Sequence, residues 1–163
     1  MIYPFNAWDA FKIAISLEEN GLRFYREAAK KFSGQIADLF ISLAQEEEIH
    51  KAIFTKFFEG LPAEQPSIYD PENETDDYLK MMASLNVFKD GKAETDKLVA
   101  TVNTVEDALK LAMSFEKDSI VFFIQLKNAS ASLSDEVSVE RLVQEEAKHL
   151  RKLSRIFNSL KAK

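Results

Sequence analysis

Two stretches of this chain repeat almost residue for residue. "AISLEENGLRFY" from position 14 reads against "AMSFEKDSIVFF" from position 112, and "LAQEEEIH" from position 43 reads against "LVQEEAKH" from position 142, at offsets of 98 and 99. A duplicated unit this long restricts the fold to one built from two equivalent halves. Each half holds two long segments whose apolar residues recur at the period of an amphipathic helix. The first runs Trp8, Phe11, Ile15, Leu22, Tyr25, Ala29, Phe32, with Asn6 and Asp9 suited to cap its start. The second follows Ser33-Gly34, runs Ile36, Phe40, Leu43, Phe54, Phe57 and stops at Gly60 and Pro62. The third follows Thr104, whose "TVED" reads as a capping box, and runs Val105, Leu109, Ala112, Ile120, Phe123, Leu126. The fourth starts near Ser134 and runs Val139, Leu142, Leu153, Ile156, Leu160.

The short loops within each half make two antiparallel hairpins, at residues 6–60 and 104–160. Residues 61–103 between them hold three of the four prolines and many acids, and Tyr78, Met82, Leu85 and Phe88 predict one short helix there. A crossover of that length can run back along a bundle and set the second and third helices parallel. The expected architecture is one all-α domain, a four-helix bundle with a pseudo-twofold axis. Scarce glycine, at four residues, agrees with long helices rather than a turn-rich sheet.

Superposing the repeats sorts the acids. Glu18 meets Glu116, Glu47 meets Glu146 and His50 meets His149, whereas Glu19 faces Lys117 and Glu48 faces Ala147. The two histidines are the only ones in the chain. Glu46 meets Glu145 as well, so spacing alone leaves each histidine an (i, i+3) or an (i, i+4) partner on its own face. The stripes discriminate. Leu43, Glu47, His50, Phe54 and Leu142, Glu146, His149, Leu153 step by four, three and four, and Glu18 and Glu116 fall between apolar residues of their own stripes.

Six polar groups therefore occupy core positions at one level of the bundle. Burying four carboxylates together is costly unless protons or cations compensate. Two divalent metals balance four carboxylates, with neutral imidazoles completing the set, and oxygen with nitrogen ligation suits iron or manganese, with zinc possible. Glu19, Glu27, Glu48, Glu59 and Glu106 read as solvated charges, Glu46 and Glu145 as outer-shell or surface groups, and Tyr25, two turns from Glu18, as a core residue first and as a hydrogen-bond donor near the site second. "SIVFFIQL" (119–126) is apolar on every side, which suits packing under the crossover or against a second copy, with ordinary core burial as the competing explanation.

The net charge of -6 supplies no basic footprint for nucleic acid, and no Lys/Arg block marks a membrane surface. No apolar run reaches about 18 residues and the start has no basic leader, so the chain reads as cytoplasmic. The absence of cysteine removes disulfides, thiolate zinc sites and iron–sulfur centres.

"SLEENGLRFYREAAKK", "LAQEEEIHK", "SFEKDSIVFF" and "VQEEAKHLRKLS" resemble the rubrerythrin-related branch of the ferritin-like di-iron carboxylate proteins, over all four helices. The resemblance implies a ferritin-like bundle with metal ligands Glu18, Glu47, His50, Glu116, Glu146 and His149. It further implies that Glu47 and Glu146 bridge two irons while Glu18 and Glu116 are more terminal. Two features depart from rubrerythrin proper. The cysteine-ligated rubredoxin-like domain that feeds electrons to the centre is missing, and Ser119 stands where an additional glutamate is expected. The implied activity is reduction of hydrogen peroxide or oxygen with an external electron-donor protein, in a homodimer; the competing readings are iron binding or ferroxidase activity for storage or delivery, and a structural metal bundle.

Overall fold

The structure, a computed structural model, describes residues 7–61, 81, 92–128 and 133–162. Five helices are described in these ranges: α1 (Ala7–Lys31), α2 (Gln35–Glu59), α3 (Lys92–Thr101), α4 (Val105–Asn128) and α5 (Leu133–Lys161). α1 packs along α2 and α4 along α5, giving the two expected hairpins, and α1 also meets α4 while α2 meets α5. No helix among the described residues is long and apolar enough to cross a membrane.

Local signals set the ends. Gly34 turns the chain between α1 and α2 with φ 61°, a left-handed conformation that costs glycine little. Thr104 caps α4 reciprocally with Asp107: the Asp107 N–H donates to Thr104 Oγ1 at 3.1 Å, and the Thr104 N–H donates to Asp107 Oδ2 at 3.0 Å. These bonds hold the Asp107 carboxyl below its usual range. Asn6 lies outside the described residues, and so does the helix expected around Tyr78 to Phe88 except for Met81, which is helical.

The chain adds a helix that its apolar pattern did not announce. At ten residues α3 is too short to persist alone. Side chains of α1 fasten it: Arg23 donates twice to Asp96, both at 2.8 Å, and Lys31 Nζ donates to the carbonyls of Val99 and Val102 at 2.7 and 2.8 Å. Beneath them Thr95 Oγ1 donates to Asn20 Oδ1, and both residues are buried.

The apolar core is split in two. One cluster joins Leu22 to Ala28 of α1, Leu39 to Ala44 of α2, Ala108 to Phe115 of α4 and Leu153 of α5. The other joins Ala10 to Leu17, Phe54, Phe122 to Leu126 and Val139 to Val143 from the same four helices. In every helix the gap between the clusters falls where the sequence places its repeated Glu or His. Gly21 lets the halves meet closely, since a Cβ there would stand 2.2 Å from the Phe115 ring. Leu160, read as part of the fourth stripe, is 41% exposed. α5 has 29 residues against 24 in α4, so its last turn overhangs its partner. Within "SIVFFIQL", Phe122, Phe123 and Leu126 are buried and Val121 points outward.

Candidate metal centre

The four helices bring all six sequence-predicted residues into the gap. Glu18, Glu47, Glu116 and Glu146 are buried to 1% exposure or less, and His50 and His149 to 3% or less. They form two interlocking groups. Glu18, Glu47, His50 and Glu146 each offer a ligand atom within 4.8 Å of the others, and so do Glu47, Glu116, Glu146 and His149. Glu47 and Glu146 belong to both groups, while each group adds one glutamate and one histidine of its own.

Each imidazole turns Nδ1 inward. His50 Nδ1 lies 2.6 Å from Glu146 Oε1 and 3.8 Å from Glu18 Oε2. His149 Nδ1 lies 3.2 Å from Glu146 Oε2, 3.5 Å from Glu116 Oε2 and 3.6 Å from Glu47 Oε1. The two rings stack with centroids 5.7 Å apart. The opposite nitrogens reach across the α2–α5 seam: His50 Nε2 meets Glu145 Oε2, and His149 Nε2 meets Glu46 Oε2, both at 2.9 Å. The outer carboxylates thus bind the histidine of the other helix rather than their own. Such a partner accepts a hydrogen bond from Nε2–H, which keeps the proton there and leaves an Nδ1 lone pair facing the centre.

Inside the centre, acceptors face acceptors. Both oxygens of Glu18, Glu47 and Glu146, Oε2 of Glu116 and Nδ1 of both histidines are buried without a hydrogen-bond partner. So many orphaned lone pairs are retained only where a proton or a cation lies among them. Without a cation, protons do the work. Burial and neighbouring carboxylates, Glu47 above all for Glu18 and Glu146 for Glu116, push both acids well above their ordinary range. Burial opposes a charge on His50, but the Glu146 carboxylate 2.6 Å from its Nδ1 raises it from 6.5 to about 9. His149 is raised further against the same opposition, by Glu116 and Glu146. Burial also works against a charge on Glu146, and the two histidines overcome it and hold its carboxyl low. The donor set fits the pair of divalent metals that the charge balance calls for, because the metals replace these protons without moving a residue's role.

Two neighbours complete the description. Tyr25, fully buried, donates its hydroxyl to Glu116 Oε1, so this core residue of α1 also holds a candidate ligand of the other half. Burial and the Glu116 charge keep its phenol well above the usual range. Ser119, 1% exposed, stands one turn beyond Glu116 with its hydroxyl unpartnered among the described residues. The glutamates read as surface groups are so placed: Glu19, Glu48, Glu59 and Glu106 are exposed, and Glu27 pairs with Lys30 at 2.6 Å.

The sequence profile of the family described as Rubrerythrin matches residues 9–157. Among solved structures the chain is similar to a protein of Thermotoga maritima described as a ferritin-like diiron-carboxylate protein, with 28% identity and a TM-score of 0.71 over 97% of both chains. Among curated proteins no significant match is found.

Proposed function

The chain belongs to the rubrerythrin family, and from that membership and the buried centre we propose that it is a non-haem di-iron oxidoreductase, reducing hydrogen peroxide or oxygen with electrons from a separate donor protein. One observation carries the proposal: two interlocking carboxylate–imidazole groups whose donor atoms face one another unpartnered in an otherwise apolar core. Carboxylate oxygen with imidazole nitrogen suits iron, and the Thermotoga maritima relative is described as a diiron-carboxylate protein. Bound there, two irons would supply one electron each and Lewis acidity for cleavage of an O–O bond.

The chain's own residues supply the rest. Glu47 and Glu146, common to both groups, would be shared between the two metals, and Glu18 with His50, and Glu116 with His149, would each complete one position. Glu46 and Glu145 fix the imidazoles, Tyr25 fixes Glu116, and the apolar clusters on either side exclude bulk water from the layer. The sequence has no cysteine to ligate an iron centre of its own, which supports a separate electron donor.

Stopped-flow mixing of the di-ferrous protein with peroxide tests the reading. Oxidation much faster than that of free ferrous ion, with two irons per chain by elemental analysis, is the expected result. A rate equal to that of the free ion removes the proposal, and two zinc ions from protein purified without oxygen would weaken it.

A further inference from the structure

α5 carries a charge pattern that the metal centre does not use. The chain's net charge is -6, yet from Ala147 to its end it holds six Lys/Arg and no acid, so the residues before them sum to -12. Lys148, Arg151, Lys152 and Arg155 recur at steps of three, one and three, which places them within a third of the helix circumference. All four are exposed, and none makes an ion pair among the described residues. Compensation of the helix dipole does not explain them, since that effect is confined to the last turn and α5 continues to Lys161.

The repeat supplies a control within the molecule. At the same offset α2 carries Ile49, Ala52, Ile53 and Lys56, and Ile49 is 59% exposed. The two helices adjoin across the seam closed by the His50–Glu145 and His149–Glu46 contacts. A basic stripe on α5, with an apolar strip at the equivalent positions of α2 across the seam, is a surface suited to transient recognition of an anionic partner. Only α5 itself separates the stripe from His149, a thickness of about 10–12 Å. Glu145, 27% exposed, links the surface to His50 Nε2.

We propose that this face docks a small acidic one-electron carrier protein, which is the donor required by the reading above and on which this inference rests. Each docking oxidises the carrier by one electron and reduces the centre by one. Two dockings replace the two electrons that one hydrogen peroxide takes, with two protons from solvent, in becoming two waters. A second copy of this chain is a poor occupant, because a twofold contact through the stripe would set like charges together. Anionic polymers and bilayers extend past the stripe and would meet repulsion from the rest of the chain, which a small carrier seated on the stripe largely avoids.

The test measures binding of two acidic probes, purified rubredoxin and [2Fe–2S] ferredoxin, to metal-free and iron-loaded protein over a range of salt. The expected result is association that weakens steeply with salt and falls at least tenfold in the R151E/K152E/R155E variant, and less in the corresponding glutamine variant. Iron content and direct oxidation by peroxide should stay unchanged in both. Unaltered binding in the variants, or no binding of either probe, overturns the docking assignment. So does a dimer that the same variants dissociate, or duplex DNA or anionic vesicles binding more tightly than the carriers. A blank peroxide reaction alongside stripe-dependent carrier binding sinks the functional reading and leaves the docking face standing.

Discussion

The α1–α2 and α4–α5 hairpins bring the same ligands to the same level but back them differently. Tyr25 of the first has Phe123 as its mate, Gly21 has Ser119, and the Ile49–Ile53 face of α2 corresponds to the Lys148–Lys152 face of α5. The contacts also cross: Tyr25 of α1 holds Glu116 of α4, Glu46 of α2 holds His149 of α5, and Glu145 of α5 holds His50 of α2. Duplication fixed the layer of donors, and divergence acted on what surrounds it. Each four-residue group draws on both hairpins, so neither is complete until the two are packed together.

The sharpest break of the symmetry separates shared ligands from private ones. Glu47 and Glu146 belong to both groups, Glu18 and Glu116 to one each. Glu146→Ala or Glu47→Ala is expected to reduce metal content from two ions per chain to almost none, whereas Glu18→Ala or Glu116→Ala should leave about one. Elemental analysis after reconstitution distinguishes these outcomes, and equal losses from all four variants would end the division into shared and private ligands.

Protons and metals compete for the same atoms, so the metal-free protein should depend on pH in a way the loaded protein does not. Glu18 and Glu116 are raised, and His50 is raised to about 9 from 6.5. Each contributes stability that is complete below its unfolded value and lost as pH rises through its folded one. Glu146, held low, acts on the acid side: its contribution is present above the ordinary carboxyl range and is lost as pH falls through its folded value. Thermal melting of the metal-free protein should therefore decline from about pH 5 to 9, and metal should largely abolish the decline while releasing protons on binding. A metal-free melt that rises over this interval would contradict the assignment.

The crossed outer pairs come next in size. Loss of such a partner costs roughly 10- to 100-fold in metal affinity. Glu145 is 27% exposed and also accepts from Arg141 at 3.2 Å, while Glu46 is 44% exposed with Ser42 at 3.3 Å. Glu145→Gln should weaken the His50 position, Glu46→Gln the His149 position, and the first should weaken it more because its contact is better shielded. Competition with a chelator, read for each binding step, checks both the order and the crossing.

Gly21 and Ser119 give a smaller contrast. Gly21→Ala drives a methyl against Phe115, for about 1–3 kcal/mol less any helix gain, or roughly 2–4 °C of melting temperature per kcal/mol. Ser119→Ala removes an unpartnered hydroxyl and should be nearly neutral. Phe115→Leu, matching its mate Leu17, should relieve the Gly21→Ala variant, and failure of that rescue would mean that the two halves do not share this contact.

Much of this was written in the repeat. The offsets of 98 and 99 separated Glu18, Glu47 and Glu146 from their solvated neighbours, and the apolar steps chose Glu47 over Glu46 as the inward partner of His50. What escaped sequence reading depends on tertiary register. Glu46 and Glu145 find histidines 103 and 95 residues away, a pairing set by how α2 lies on α5. α3 owes its place to Arg23 and Lys31 of α1 rather than to an apolar stripe of its own. The basic face of α5 is broken up in the chain by His149, Leu150 and Leu153, and becomes continuous only when wound into a helix.

Tyr25 is the subtlest of the differences, because its mate is the same ring without the hydroxyl. Tyr25→Phe makes the two halves alike and leaves Glu116 Oε1 without its donor. Leaving one buried acceptor without its donor costs roughly 1–3 kcal/mol, so the variant should melt several degrees lower. Its effect on the metals should be selective. Glu116 serves the His149 position alone, and its orientation is held by the phenol, so that position should weaken by up to about tenfold while the His50 position is unchanged. Phe123→Tyr provides the reverse case, a hydroxyl offered to the half that lacks one. Stepwise metal titration of both variants measures the gap between the positions, and if the gap is the same in wild type and Tyr25→Phe, the phenol has no part in making the two positions unequal.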